Sequence, residues 1–205
     1  MANNKKRIVL GSGKLYIKEF LGEAIPGRAE MEKDENLLGL IQGGASVEYA
    51  PETYTAEDDL GLASKTILTR EDVTLRSGIM TWNGETLRQL CSTARVTDSS
   101  DGRRRTVRIG GVGNQDGKTY VLMFVHIDKA DGDITVTIVG KNTAGFTIAF
   151  AKDQETVIDA EFRAEAMDND GSKIIYTEDV NASNAEEPED VSASDVSGDG
   201  GSEDA

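Results

Sequence analysis

The chain has 205 residues, 37 of them acidic and 22 basic, so it carries a net charge of −15. This length predicts one domain with an appendage, and the charge argues against a surface that binds nucleic-acid backbones. The single cysteine excludes an internal disulfide and suits a reducing compartment such as a cytoplasm, and no segment is long and apolar enough to span a membrane.

The first predicted strand is followed by a long irregular segment. Lys14–Leu21 alternates apolar and polar residues, as a strand does. Gly22–Gly43 contains Pro26, several glycines and a charged middle, and an irregular run of about twenty residues is unusual inside a compact domain. Either this segment is mobile or a neighbouring molecule orders it. It contains an apolar cluster that needs cover: Leu37, Leu38, Leu40 and Ile41.

Two longer segments predict a β-hairpin. Gly44–Tyr54 and Lys65–Thr81 both alternate apolar with polar residues, and a polar link that contains Asp58 and Gly61 joins them. We therefore expect a long hairpin with a broad tip and one well-solvated face.

One helix is predicted after the hairpin. Asn83 is a favourable N-cap, and Trp82 before it is suited to anchor the helix on a sheet. The residues that fall on one helical face are Leu87, Leu90, Cys91 and Ala94. This stripe is narrow, so the helix should lie on a sheet rather than inside a core.

The rest of the domain reads as strands. They are Arg104–Ile109, Lys118–Ile127, Asp133–Lys141, Gly145–Ala151, Val157–Ala166 and Lys173–Glu178. Tyr120–Ile127 is apolar on both faces, which is typical of a strand covered on two sides, whereas Val157–Ala166 is apolar on one. We predict a mainly β fold: a β-sandwich or partial barrel with one flanking α-helix.

The last segment, residues 181–205, differs in composition from everything before it. It contains eight acidic residues and no basic or aromatic residue. Such a sequence cannot bury enough apolar surface to order itself, so we predict a disordered acidic tail after a domain of residues 1–180. Without those eight charges the domain still carries −7.

No residues are spaced for catalysis or metal binding. His126 is the single histidine and has no partnered nucleophile, and Cys91 lies on the predicted buried face of the helix. We therefore expect no enzymatic activity, no cofactor and no metal site. Arg103–Arg105 is a basic cluster, which in an acidic chain is expected to pair with carboxylates across an interface.

Three segments of the chain resemble phage major tail tube proteins, above all those of siphophages that infect Gram-positive bacteria. They are Leu38–Tyr49 (LGLIQGGASVEY), Ser77–Ala94 (SGIMTWNGETLRQLCSTA) and Gly145–Glu161 (GFTIAFAKDQETVIDAE). The resemblance is ordered along the chain and spans most of Arg7–Asp179, and it rests on the sum of the segments.

The resemblance implies a tail-tube fold whose sheets join into a barrel shared within a hexameric ring. Stacked rings would form a hollow tube around a tape-measure protein, and the genome would pass through the lumen on ejection without specific binding. It also implies a tail terminator and distal tail or baseplate proteins as partners, assembly in the host cytoplasm, a final location in the virion tail, and no membrane contact.

Two sets of residues are candidates for roles in such an assembly. The apolar cluster would contact a neighbouring subunit: Leu37, Leu38, Leu40 and Ile41. An acidic lumen would repel DNA phosphates, and its candidate residues lie on solvated strand faces. These are Glu48, Glu52, Asp72 and Glu161. The acidic tail is expected on the outer surface and to be dispensable for assembly.

Other functions remain open at this stage. The inner tube of a contractile tail or of a phage-derived bacteriocin would have the same fold. A carbohydrate-binding or adhesin β-sandwich is a different class, but it requires exposed aromatic residues, and aromatic residues make up only 5% of the chain.

Overall fold

The structure, a computed structural model, describes residues 6, 8–22, 24–153 and 155–180, so the predicted acidic tail lies outside the described part. The strands are β1 (Lys14–Glu19), β2 (Leu37–Gly39), β3 (Ile41–Glu57), β4 (Ser64–Ile79), β5 (Arg95–Asp98), β6 (Arg105–Arg108), β7 (Tyr120–His126), β8 (Ile134–Asn142), β9 (Ile158–Glu165) and β10 (Ile175–Glu178). The helices are α1 (Arg28–Met31) and α2 (Gly84–Leu90), with short 3-10 turns at Asp34–Asn36 and Val112–Asn114. The predicted mainly β fold is confirmed.

Eight strands form one antiparallel sheet that curls. Its order is β2-β1-β7-β8-β9-β4-β3, and β10 pairs with the first half of β8 while β9 pairs with the second half. β2 and β3 lie at opposite ends of this order, yet only Leu40 separates them in the chain. Its carbonyl accepts hydrogen bonds from the amides of Met80 and Thr81 at 2.7 and 3.3 Å. The sheet is thus a partial barrel, which strand pairing does not close within the described residues.

The curled sheet encloses the main hydrophobic core. β9 contributes the four residues predicted to face inward, all of them buried: Ile158, Ala160, Phe162 and Ala164. Side chains from β1, β2, β4, β7, β8 and α2 complete this core. A second apolar cluster lies on the other face of β1 and β7, with Val121 and Met123 at its centre. β7 is therefore covered on both faces, as its sequence predicts.

Within the segment predicted to be irregular, residues 24–43 are ordered by contacts with their own chain. α1 covers the second cluster, where Met31 is fully buried. Arg28 donates a hydrogen bond to Asp133 at 2.6 Å and thereby lowers the pKa of that carboxyl below its usual value. The prediction failed because one helical turn is too short to show a period in the sequence.

The helix α2 begins as predicted. Asn83 caps it, because its side-chain oxygen accepts hydrogen bonds from the amides of Glu85 and Thr86 at 2.8 and 3.2 Å. Trp82 packs against the core beside it, which confirms its predicted role as an anchor. The helix ends before Cys91, so this thiol lies at the C-cap and is only half buried, unlike the predicted position on the buried face.

Two strand predictions were wrong. Gly145–Ala151 is not a strand: the side-chain amide of Asn142 donates to the Gly145 carbonyl at 2.8 Å, and Phe146 and Ile148 pack against the core without strand pairing. Conversely, Arg95–Asp98 was not predicted as a strand but pairs with β6 in a separate two-stranded sheet.

Candidate assembly surfaces

The predicted long hairpin is present as β3 and β4, and it extends beyond the sheet that carries it. The two strands pair from Ile41 with Ile79 outward to Glu57 with Ser64. β9 covers β4 only from Thr74 inward. Residues 52–70 are named the arm here. Among the described residues no third strand pairs with the arm, so both of its edges carry unpaired backbone groups.

The tip of the arm has a defined turn. The carboxylate of Asp58 accepts hydrogen bonds from the amide of Ala63 at 2.5 Å and from that of Leu60 at 3.2 Å. The bond from Ala63 is the main cause that lowers the pKa of Asp58 below its ordinary value. Gly61 has a φ of +67°, a conformation that favours glycine. The arm therefore ends in a turn that hydrogen bonds hold in shape.

The arm exposes large apolar side chains. Leu60 and Leu62 at the tip are 78% and 82% exposed, and Leu68 is 52% exposed. Tyr54 and Ile67 lie directly opposite each other on the paired strands and are also exposed. A two-stranded hairpin is at best marginally stable alone in water, and clustered exposed apolar residues mark interaction sites. The arm thus has the features of a contact surface that lacks its partner.

A second surface is the outer face of the β3–β4–β9 sheet, named the paired-charge face here. The structure brings all four predicted lumen acids onto it, two from β3 and one each from β4 and β9. They share a face because Thr74 lies opposite both Glu48 and Arg163, and Arg76 lies opposite Glu161. The four are Glu48, Glu52, Asp72 and Glu161.

Arginines pair with these acids. Arg76 of β4 donates to Glu48 of β3 at 2.5 Å and to Glu161 of β9 at 2.7 Å, so one guanidinium links all three strands. Arg163 donates to Asp72 at 2.5 Å and is the main cause that lowers the pKa of this carboxyl. Exposed ion pairs of this kind each stabilise a fold by only about 0–1 kcal/mol. Their main effect is on the character of the surface.

A third arginine completes the pattern. Arg70 lies 2.9 Å from Asp72 and 3.9 Å from Glu52. Three arginines therefore offset most of the charge of the four predicted acids. The face is polar and only weakly charged, and its guanidinium groups are already engaged by carboxylates.

The four predicted contact residues do not form one exposed cluster. Leu38 is 2% exposed and belongs to the main core, so it has no apolar surface left for a neighbour. Leu37 and Ile41 are half buried against the two clusters of their own chain. Leu40, at 53% exposure, is the member that faces solvent. Of the four, only Leu40 therefore has an exposed side chain that a neighbouring subunit could cover.

His126 has a structural contact. It is 4% exposed, and its Nδ1 lies 2.8 Å from the carbonyl oxygen of Ser12, which ties the segment before β1 to β7. Its Nε2 is buried and has no hydrogen-bond partner among the described residues.

The surface also has shallow grooves. One of about 550 Å³ is lined by Gly43, Gly44, Arg76, Ser77 and Glu161, around the bulge near the start of β3. In the part of the chain that the structure describes, no three His, Cys, Asp or Glu side chains are placed to hold a metal ion. None of the described helices has the length and apolarity needed to cross a membrane.

Sequence reasoning missed the tip of the arm. Leu60 and Leu62 fall in a link that reads as polar because acidic residues dominate it. Two leucines on either side of a turn glycine are a usable signal, since turns are normally built from polar residues.

The chain was compared with family models, curated proteins and solved structures. No family model matches the chain, and no curated protein matches it. Among solved structures, the chain is similar to one in the virion of a native gene transfer agent particle, with 11% identity and a TM-score of 0.38. The match covers 80% of this chain and 95% of the other.

Proposed function

We propose that the chain is a structural virion protein that polymerises as stacked hexameric rings into a phage tail tube, the conduit for genome ejection. The observation that carries this proposal is the arm, a hairpin of residues 52–70 with two open edges and exposed apolar side chains on its strands and tip. The ordered resemblance of Leu38–Tyr49, Ser77–Ala94 and Gly145–Glu161 to tail tube proteins supports it.

Polymerisation gives the arm the cover that a single copy cannot provide. A neighbouring subunit that pairs with an open edge satisfies its backbone groups, and closure of strands into a shared barrel removes edges altogether. If the arm of one copy contacts a different surface of the next, the contact is heterologous and can repeat until a terminator protein stops it. Exposed Leu40 lies near the start of the same hairpin and is a further candidate contact.

The paired-charge face is proposed to line the lumen. Its acids, among them Glu48 and Glu52, repel DNA phosphates, and its arginines are held in ion pairs rather than free to bind phosphate. Repeated around six subunits, such a wall is weakly negative and has no strong attraction for DNA, so that a genome slides through without specific binding. The tape-measure protein would occupy this lumen before ejection.

The remaining partners follow from the same proposal. The tube would be capped by a tail terminator and seated on distal tail or baseplate proteins, with assembly in the host cytoplasm and no membrane contact. Residues 181–205 would lie on the outer surface, because eight acids per subunit in a channel would obstruct DNA.

Electron microscopy of the purified full chain tests the proposal. We expect rings with sixfold symmetry or tubes, formed slowly or after addition of an initiator complex. Light scattering would follow the growth. A compact monomer at every concentration, with and without the initiator, would refute the proposal.

A further inference from the structure

Within the described residues, the small sheet formed by β5 and β6 and the loop between these strands carry a cluster of basic side chains. Residues 95–108, named the arginine hairpin here, contain five arginines and two aspartates, a local charge of +3 in a chain whose net charge is −15. All five arginines are exposed. A surface of this sign requires an explanation in a protein that is otherwise acidic.

Most of these arginines have no carboxylate partner among the described residues. Arg105 donates two hydrogen bonds to Asp98, at 2.7 and 2.8 Å. Within the described residues, the other four make no ion pair. They are Arg95, Arg103, Arg104 and Arg108.

Two of the four arginines without an ion pair face each other. Arg95, whose guanidinium also donates to the Gly110 carbonyl at 3.5 Å, lies directly opposite Arg108 in the strand register. The helix α2 packs on the other face of the hairpin, where a Cβ at Gly84 would lie 2.8 Å from Arg105 and 2.9 Å from Val107. Like charges directly opposite each other destabilise a strand pair, so this arrangement calls for an anion on the face away from the helix.

We infer that the arginine hairpin binds the acidic segment 181–205 of a neighbouring copy. This segment has eight carboxylates and no basic residue, so its charge complements that of the hairpin. Arginine forms strong, often bidentate hydrogen bonds with carboxylates. The inference rests on the proposed stacked assembly, which supplies the neighbour.

In the proposed stack, the segment of a neighbouring copy begins nearer to the arginine hairpin than the segment of the same copy does. β10, after which the segment begins, pairs with the start of β8 through Glu178 and Ile134. The helix under the arginine hairpin touches the far end of β8, where the amide of Asn142 donates to the Leu90 carbonyl at 2.9 Å. These points are about 26 Å apart along the strand. Head-to-tail stacking along this direction brings the two ends of successive copies together.

Photo-cross-linking of the full chain tests the inference. Benzoylphenylalanine placed at Val191 would be activated in a mixture of isotopically light and heavy copies, and the cross-linked peptides identified by mass spectrometry. We expect cross-links between light and heavy copies that fall within residues 95–108. They should decrease at least about tenfold in the double variant Arg95→Gln, Arg108→Gln, and also at high salt.

The controls separate the possible results. Arg163→Gln, which alters an arginine already paired with Asp72, should leave the cross-links unchanged. The double variant should melt no lower than the original chain, because it removes a like-charge pair. Cross-links that fall elsewhere, occur only within one copy, or persist in the double variant would each overturn the inference. Tubes without these cross-links refute the inference alone, whereas cross-links between copies without tubes refute the proposed function alone.

Discussion

The body of the sheet and the arm use the same strand pairing for different purposes. In the body, β7 lies between β1 and β8, and both of its faces are buried. In the arm, β3 and β4 pair with each other alone, and nearly every side chain is exposed. The length over which two strands pair therefore does not indicate how deeply their side chains are buried. The apolar residues of the body stabilise the chain, whereas those of the arm are available to another molecule.

Removal of the arm should have the largest effect on assembly and little effect on folding. Thr53 and Leu68 lie directly opposite each other, so an Asn-Gly turn can replace residues 54–67 and close the shortened hairpin. We expect this variant to melt within a few degrees of the original chain and to form no rings or tubes. Microscopy and a thermal melt test this. Normal tubes from the variant would show that the arm is not the contact surface.

Leu38 and Leu40 form a matched pair that separates folding from assembly. Leu38→Asp places an unpaired charge in the core and should destabilise the fold by more than about 3 kcal/mol. Leu40→Asp changes an exposed position and should alter stability by less than about 0.5 kcal/mol, with weaker assembly. Urea unfolding and light scattering measure the two effects. Equal destabilisation by both changes would contradict the assigned burial.

Tyr120 allows a pH-dependent test in the body of the sheet. Burial raises the pKa of Tyr120 to about 12, and its hydroxyl has no hydrogen-bond partner among the described residues. Because the unfolded chain then loses this proton first, stability should be unaffected below pH 10 and fall between pH 10 and 12. Tyr120→Phe should be neutral or stabilising by up to about 1 kcal/mol at pH 7, with a smaller alkaline loss. Urea unfolding at pH 8 and 11 compares the two proteins, and an equal alkaline loss in both would assign it to other groups.

Charge reversal on the paired-charge face should affect DNA binding more than it affects folding or assembly. Replacement of Glu48 and Glu52 by Lys breaks two exposed ion pairs, with Arg76 and Arg70, and should cost no more than about 1–2 kcal/mol in total. We expect assembly to persist and DNA to be retained in the tube at low salt, since six copies then present new positive charge. A filter-binding assay on assembled tubes measures this. Tubes that bind no more DNA than the original would place the face away from the lumen.

The sequence predicted the elements whose pattern repeats. β9 was recognised because apolar and polar residues alternate along its whole length, with Ile158 and Phe162 on one face. β7 was recognised because it is apolar on both faces along its whole length. The cap of α2 at Asn83 was found because an N-cap is a local feature. Each of these depends on neighbours in the sequence, so no tertiary information was needed.

The elements that were missed depend on distant contacts. α1 is ordered by the burial of Met31 and by the bond from Arg28 to Asp133, which is far away in the chain. The gathering of the four acids on one face was not visible either, because it depends on the register between β3, β4 and β9. The arginines that pair with those acids belong to the same face for the same reason. When a long connection joins two strands, the sequence does not show which of their residues lie opposite each other.

The most direct test of the central claim is amide hydrogen exchange of the arm in the unassembled and the assembled protein. If neighbouring copies cover the arm, the amides at its open edges should exchange at least about tenfold more slowly after assembly, while those of β7 should be slow in both states. If the arm exchanges at the same rate in tubes as in the free chain, it is not the surface through which the protein assembles.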